Sequence, residues 1–366
     1  MRVTFPHMGN LHICLKAMLR YLEVDVVVPP PSSKKTLTLG VKYGPEFACM
    51  PLKLNLGNFI EAYGLGADTI IMAGGCGPCR FGYYAQIEHA ILKEIGYEYE
   101  LIVIEPPERH ISELFSKIKY VTGDHSWWRV IQAVRFGYQK ARAVDEIEMT
   151  AFKMRPRELV PGSTDIAYRN ALNLIDRTVT LHELNRAKKR AGLIMDGVSL
   201  DKNRPVLKIG LTGEIFTLLE PFSNLDVERH LGRLGAEVDR SVYLSEWVND
   251  HLFMGLLKGL RSRKDACTAA FPYLRHFVGG HGQETVGSAV NYARAGYDGL
   301  VQVFPFTCMP EIVAESILPE VAKDYEMPIL TLIMDEHTGE TGILTRLEAF
   351  IDLLERKKEL RRQALS

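Results

Sequence analysis

Residues Ala67–Pro107 read ADTIIMAGGCGPCRFGYYAQIEHAILKEIGYEYELIVIEPP. The opening ADTIIMAG (67–74) is apolar and of strand length. YYAQIEHAILKEIG (83–96) has helical spacing, and YELIVIEPP (99–107) is a second strand. Strand, helix and strand in that order dictate a parallel pair joined by a right-handed crossover. Between the first strand and the helix lies a C-x-x-C, Cys76 and Cys79, set among Gly74, Gly75, Gly77 and Pro78.

The same alternation extends upstream. RVTFP (2–6) and VDVVVPP (24–30) are strands on either side of the helix LHICLKAMLRYL (11–22). PLKLNLGNFIEAYGLG (51–66) is a helix ending at Gly64 or Gly66, where glycine relieves a left-handed cap. Residues 1–106 are therefore expected to form a Rossmann-like α/β domain. From 107 to 203 the strand pattern stops. SWWRVIQAVRFGYQKARAVDEIEMTAFKM (126–154) and the stretch 163–195 are helical with mixed charge, a helical insertion or linking region. Residues 204–366 return to the first pattern, with strands at RPVLKIGLTGE (204–214), AEVDRSVYLSEW (236–247), YDGLVQVFPFTC (297–308) and MPILTLIMDE (327–336), and a terminal helix from about 341. The expected fold class is α/β, two Rossmann-like parallel-sheet domains with a helical insertion and a site in the cleft between them.

A chain of 366 residues exceeds one ordinary core. The net charge of -1 offers no basic excess for a phosphate backbone, so no nucleic-acid partner is expected. The apolar runs are too short to span a membrane, and MRVTFPHMGN carries no signal pattern, so a cytoplasmic location is expected. In that compartment the six cysteines should be reduced, which favours metal or redox chemistry over disulfides.

In open parallel sheets, ligands bind beyond the carboxyl ends of the strands. Cys76 and Cys79 follow one strand and Cys308 follows another. Cys49, in YGPEFACMPLK, precedes a helix. Cys14, inside an amphipathic helix, and Cys267, in RKDACTAAFPYL, read as small buried hydrophobes. Structural zinc uses compact paired knuckles. Here one pair is joined by two distant single cysteines, which suits an iron–sulfur cluster better. Zinc stays open as an alternative.

Four stretches carry a resemblance: ACMPLK around Cys49, GGCGPCRFGYY around Cys76, VQVFPFTCMPEIVAESILP around Cys308, and TLIMDEHTGETGILTRLEAFIDLL (331–354). Together they resemble the 2-hydroxyacyl-CoA dehydratase superfamily, more narrowly its activase-related branch, over nearly the whole chain. The resemblance implies two Rossmann-like domains with a cluster between them, a 4Fe-4S cluster in the dehydratases and a double-cubane 8Fe-9S cluster in other relatives. It implies electrons of very low potential from a separate ATP-hydrolysing iron–sulfur activator. It also implies paired subunits, as a homodimer or with a dehydratase-like subunit. Cys49, Cys76, Cys79 and Cys308 fall at or beside the family's ligand positions. The family's dehydratase subunits use three well-separated cysteines. A fourth thiol is available here: if all four bind one cluster it is closed, which favours electron transfer over dehydration, and if only three bind an iron stays open.

The glycine-rich GGHGQETVG (279–287) lacks the lysine of a phosphate-binding loop, so it reads as a turn entering a helix. Asp335, Glu336 and His337 are expected to form a loop capping the last helix, with a place at the cleft mouth as the other option. Glu46 and Glu311 are expected to be helix-start carboxylates. Trp127 and Trp128 are expected to pack a helix, and His7 and His12 to be turn histidines. Three functions remain: an iron–sulfur reductase or dehydratase component acting on a small or acyl-CoA-like substrate in anaerobic metabolism, a non-enzymatic cluster or electron carrier, and a zinc-stabilised binding protein.

Overall fold

The computed structural model describes residues 1–75, 79–104, 111–123, 125–252 and 263–365. Among them are two four-stranded sheets, parallel throughout. The first contains β1 (Arg2–Thr4), β2 (Asp25–Val26), β3 (Thr69–Ala73) and β4 (Glu100–Ile104), in the spatial order β2-β1-β3-β4. The second contains β5 (Leu207–Gly213), β6 (Ala236–Arg240), β7 (Gly299–Pro305) and β8 (Ile329–Met334), in the order β6-β5-β7-β8. The two sheets share one winding. Each reverses direction beside its first strand, so the switch points lie between β1 and β3 and between β5 and β7.

The α/β expectation holds for both sheets, and local chemistry sets where the strands stop. β2 ends at Val26, just ahead of Pro29, Pro30 and Pro31, which have no amide to donate to a ladder. The strand expected over 236–247 stops at Arg240 and a helix, Leu244–Leu252, begins. The cause is Glu246, whose carboxylate accepts the Tyr243 amide at 3.1 Å and satisfies an orphan donor at the helix start.

The helix Met50–Gly64 joins the halves. Twelve of its fifteen residues are buried, Lys53, Asn55 and Asn58 among them, so it is covered all round rather than on one stripe. Leu52, Leu56 and Phe59 pack in the core of the first sheet. Met50 and Leu54 pack in the core of the second, with Leu211, Val301 and Leu332. Truncating one of these leucines would cost about 2–5 kcal/mol. The helix Lys34–Tyr43, not anticipated from sequence, lies against it at backbone contact. A Cβ on Gly40 would sit 1.7 Å from the Lys53 carbonyl oxygen, and one on Gly57 would sit 2.0 Å from that of Thr36.

Between the sheets the described chain is helical: Ile111–Thr122, Trp127–Met154, Ser163–Asp176 and Leu181–Asp196, with one isolated bridge, Glu158 to Leu200. The long helix starts where the Ser126 hydroxyl accepts the Arg129 amide. Its apolar face packs on Ile13 and Ala17 of the helix Leu11–Tyr21 and on the two helices that follow. Polar contacts also cross the seam. Lys53 pairs with Glu336 at 2.5 Å, His7 meets Glu220 at 3.1 Å, and buried Arg240 pairs with Glu148 of the long helix.

Candidate cysteine site

Three cysteines occupy the same local position. Cys49 caps the helix Met50–Gly64, Cys308 caps the helix Met309–Asp324, and Cys79 caps the 3-10 turn Arg80–Tyr83. Cys79 follows β3 and Cys308 follows β7, the strands at the two switch points. Cys49 and Cys308 each begin a Cys-Met-Pro tripeptide, and proline in the first turn fixes the helical φ without forfeiting a bond. None of the three side chains forms a hydrogen-bonded cap. Each thiol does feel a first-turn amide that favours its thiolate: Leu52 for Cys49, Phe81 for Cys79 and Glu311 for Cys308.

Arg80 ties these starts together. Its guanidinium donates to the Phe47 carbonyl at 3.0 Å, beside Cys49, and to the Thr307 carbonyl and hydroxyl at 2.9 Å, beside Cys308. Thr307 holds a left-handed φ of 69°, which is strained for a β-branched residue. Its hydroxyl also donates to the Phe47 carbonyl at 3.3 Å. Cys49 Sγ lies 2.6 Å from the Tyr84 hydroxyl. Gly280 closes the Cys79 side: a Cβ there would lie 3.2 Å from Pro310 and 3.9 Å from Cys79 Sγ.

Burial dominates the electrostatics. It pushes the Cys49 thiol up to about 12 and raises Cys79 and Cys308 as well. Half-buried Glu214, just past β5, adds to the shift at all three and accepts the amides of Phe216 and Thr217. Glu311 is fully buried, accepts from Gln302 and Thr285 at 3.0 Å each, and is raised to about 8 by burial. Thiols held so far up are protonated at neutral pH, and ligating a metal would release their protons.

The cysteines singled out from sequence separate cleanly. Cys49, Cys79 and Cys308 lie on loops that Arg80 holds together, and Cys76 lies outside the described residues. Cys14 is buried and donates to the Leu11 carbonyl at 3.0 Å. Cys267 sits in the helix Arg263–Ala270. Among the described residues, no group of three or more His, Cys, Asp or Glu is arranged to hold a single metal ion.

Other expectations fared unevenly. Glu46 is exposed. Glu311 does start a helix, but as a buried, doubly bonded group rather than a solvated one. Asp335 caps its loop through the His337 amide and the Thr338 hydroxyl, whereas Glu336 crosses the seam to Lys53. Trp127 packs on Phe115, but Trp128 is largely exposed. His7 is buried on Glu220 and stacks on His12 at 5.4 Å. Residues 279–287 form a turn with Gly279 and Gly280 at positive φ, then enter the helix Gly282–Arg294, as expected.

Arg80, Tyr84 and Glu214 escaped the sequence reading. Arg80 and Tyr84 stood inside the quoted cysteine motif. The recurrence of Cys-Met-Pro was the available signal that Cys49 and Cys308 are equivalent. No helix among the described residues is long and apolar enough to cross a membrane. Set against protein-family models and curated proteins, the chain matches none.

Proposed function

We propose that this chain is an iron–sulfur redox protein whose cluster is held by Cys49, Cys79 and Cys308, with Cys76 as the fourth available thiol. The observation that carries this is the convergence of three helix-capping cysteines from both sheets, tied by one arginine. The donor set fits: thiols are the ligands such clusters take, first-turn amides favour sulfur anions, and Arg80 adds positive charge beside an anionic group. When bound, a 4Fe-4S or double-cubane 8Fe-9S cluster supplies one-electron transfer at low potential.

The chain's own residues set the terms. Burial excludes water from Cys308 and limits its access to Cys49. Tyr84 hydrogen-bonds the Cys49 sulfur, and Arg80 fixes the loops that carry both cysteines. Glu311 stores a proton within the same buried region. The most concrete form of this function is a reductase or dehydratase component for a small or acyl-CoA-like substrate. Its electrons would come from a separate ATP-hydrolysing iron–sulfur activator, since the glycine turn 279–287 carries no lysine for a nucleotide. Pairing with a second copy or a dehydratase-like subunit belongs to the same proposal. The four available thiols favour a second form, a carrier that passes electrons or a cluster onward.

The deciding experiment is purification without oxygen, with iron, acid-labile sulfide and the visible spectrum measured per chain. Stoichiometric iron and sulfide with a broad brown absorbance are expected. A colourless protein carrying one zinc would replace this function with that of a structural zinc site. Turnover with an activator then separates the catalyst from the carrier.

A further inference from the structure

The three cysteine sulfurs are not equivalent. Each feels a first-turn amide, but Cys49 Sγ also lies 2.6 Å from the Tyr84 hydroxyl. Among the described residues, no side chain hydrogen-bonds Cys79 or Cys308.

Tyr84 is built to keep that contact. It opens the helix Tyr84–Glu94 and is 4% exposed. Its ring meets Phe81 edge-on, with centroids 5.9 Å apart, and belongs to the same core as Leu52 and Ala85. The hydroxyl therefore has no route away from the sulfur to solvent. Arg80, one turn earlier, differs on both counts. Its guanidinium is engaged by the Phe47 and Thr307 oxygens, and it is exposed, where salt screens its charge.

Between a thiol and a hydroxyl, either group can donate. A sulfur that ligates metal has given up its proton, so the bond then runs one way, from the hydroxyl to the sulfur. Reduction of a group bound to that sulfur increases the negative charge the sulfur shares. A fixed donor stabilises the more negative state more, and burial strengthens the difference. Glu214 acts in the opposite sense on all three sulfurs. A tyrosine that merely fills space and satisfies its own hydroxyl would have no such effect on reduction.

We infer that Tyr84 is the positioning residue that sets the reduction potential of this site, its hydroxyl on the Cys49 sulfur making the bound group easier to reduce. One electron enters from an outside reductant, no covalent bond forms or breaks, and the tyrosine keeps its proton. The inference rests on the cluster proposed above and adds which side chain governs its potential.

The test uses the full chain purified without oxygen, titrated with titanium(III) citrate beside redox dyes and followed by visible absorbance. Tyr84→Phe keeps the ring and removes the hydroxyl alone. It should lower the equilibrium constant for reduction by about tenfold, a fall of about 59 mV for one electron, with iron and sulfide per chain unchanged. Installing 3-fluorotyrosine at position 84, a stronger donor of the same shape, should move the potential upward. Tyr83→Phe, at the exposed neighbouring position, should leave it in place. An iron-loaded Tyr84→Phe protein with the wild-type potential would overturn the inference and leave the redox function standing. So would a fluorotyrosine protein whose potential is unmoved or lower, and that variant decides the matter if Tyr84→Phe fails to hold iron. Wild-type protein without iron would remove the function and this inference together.

Discussion

Arg80 and Thr307 stand 227 residues apart in sequence, and the Arg80 guanidinium donates to both the carbonyl and the hydroxyl oxygen of Thr307 at 2.9 Å. A third bond to the Phe47 carbonyl makes this side chain, alongside the Thr307 hydroxyl, a link between the Cys49 and Cys308 loops. The positive φ of Thr307 persists because these contacts hold it.

Arg80→Met should therefore loosen the site more than the fold. The arginine is exposed, so a cost of about 1–2 kcal/mol in urea unfolding is expected. The larger effect should be on retention of iron, read as faster bleaching in a chelator. Arg80→Lys should rescue little, because one ammonium cannot serve three acceptors in a fixed fork. Unchanged bleaching in both variants would mean that Arg80 does not order the cysteine loops.

Lys53 is 2% exposed and its charge is met by Glu336 from the opposite sheet. Glu336→Gln removes that countercharge and leaves the ammonium its bond to the Glu46 carbonyl at 3.1 Å; it should cost about 3 kcal/mol, while the double variant Lys53→Met with Glu336→Met should recover most of the loss. Burial raises the Glu336 carboxyl, but the Lys53 hydrogen bond and charge outweigh it and leave it below its ordinary 4.5. A depressed folded pKa gives stability that is present above 4.5 and lost as pH falls through the folded value. The gap between wild type and Glu336→Gln should thus close below pH 4.5 in pH-dependent urea titrations. A gap constant with pH would show that the pair contributes nothing through its charge.

Periodicity made the sheets legible. Strands buried on both faces read as apolar runs, and 67–107 shows the crossover unit directly. Cys49, Cys79 and Cys308 were legible because each borders an element. The helix Lys34–Tyr43 was not, because it is held by backbone contact through Gly40 and Gly57 rather than by an apolar stripe. The break after Arg240 was hidden because it depends on one carboxylate, Glu246, reaching back to an amide. Arg80 and the Lys53–Glu336 pair were unreadable for a different reason. A polar residue's partner tens or hundreds of residues away is chosen by the tertiary fold, and no local pattern announces it.

Asp145 offers a test of the seam between the long helix and the second sheet. It is 2% exposed, accepts the Ser245 amide at 2.7 Å through one oxygen, and leaves the other without a partner. Burial, reinforced by the Glu148 charge, pushes its carboxyl from 3.8 up to about 7. A raised folded pKa gives stability that is present below 3.8 and lost as pH rises through about 7. Asp145→Asn removes that loss and keeps the shape. It should match wild type near pH 4 and exceed it above pH 7 by about 2–4 kcal/mol. Equal stability at both ends would show that the carboxylate is compensated in the folded state.

The six cysteines make separate predictions about iron. Serine at Cys49 or Cys308 should remove most of the iron and sulfide, because each is the sole thiol on its loop among the described residues. Serine at Cys14 or Cys267 should leave both unchanged, since one is a buried hydrophobe bonded to the Leu11 carbonyl and the other sits on a separate helix. Cys76 and Cys79 are the informative pair. If Cys79→Ser strips iron and Cys76→Ser does not, three cysteines ligate and one iron stays open to substrate. If both strip it, four ligate and the closed cluster points to a carrier. Loss of a bound group that stabilises the folded state should also lower the melting temperature of the stripped variants, which checks the assay independently of activity. Iron content indifferent to Cys49, Cys79 and Cys308 alike would place the metal elsewhere and dissolve the proposed site.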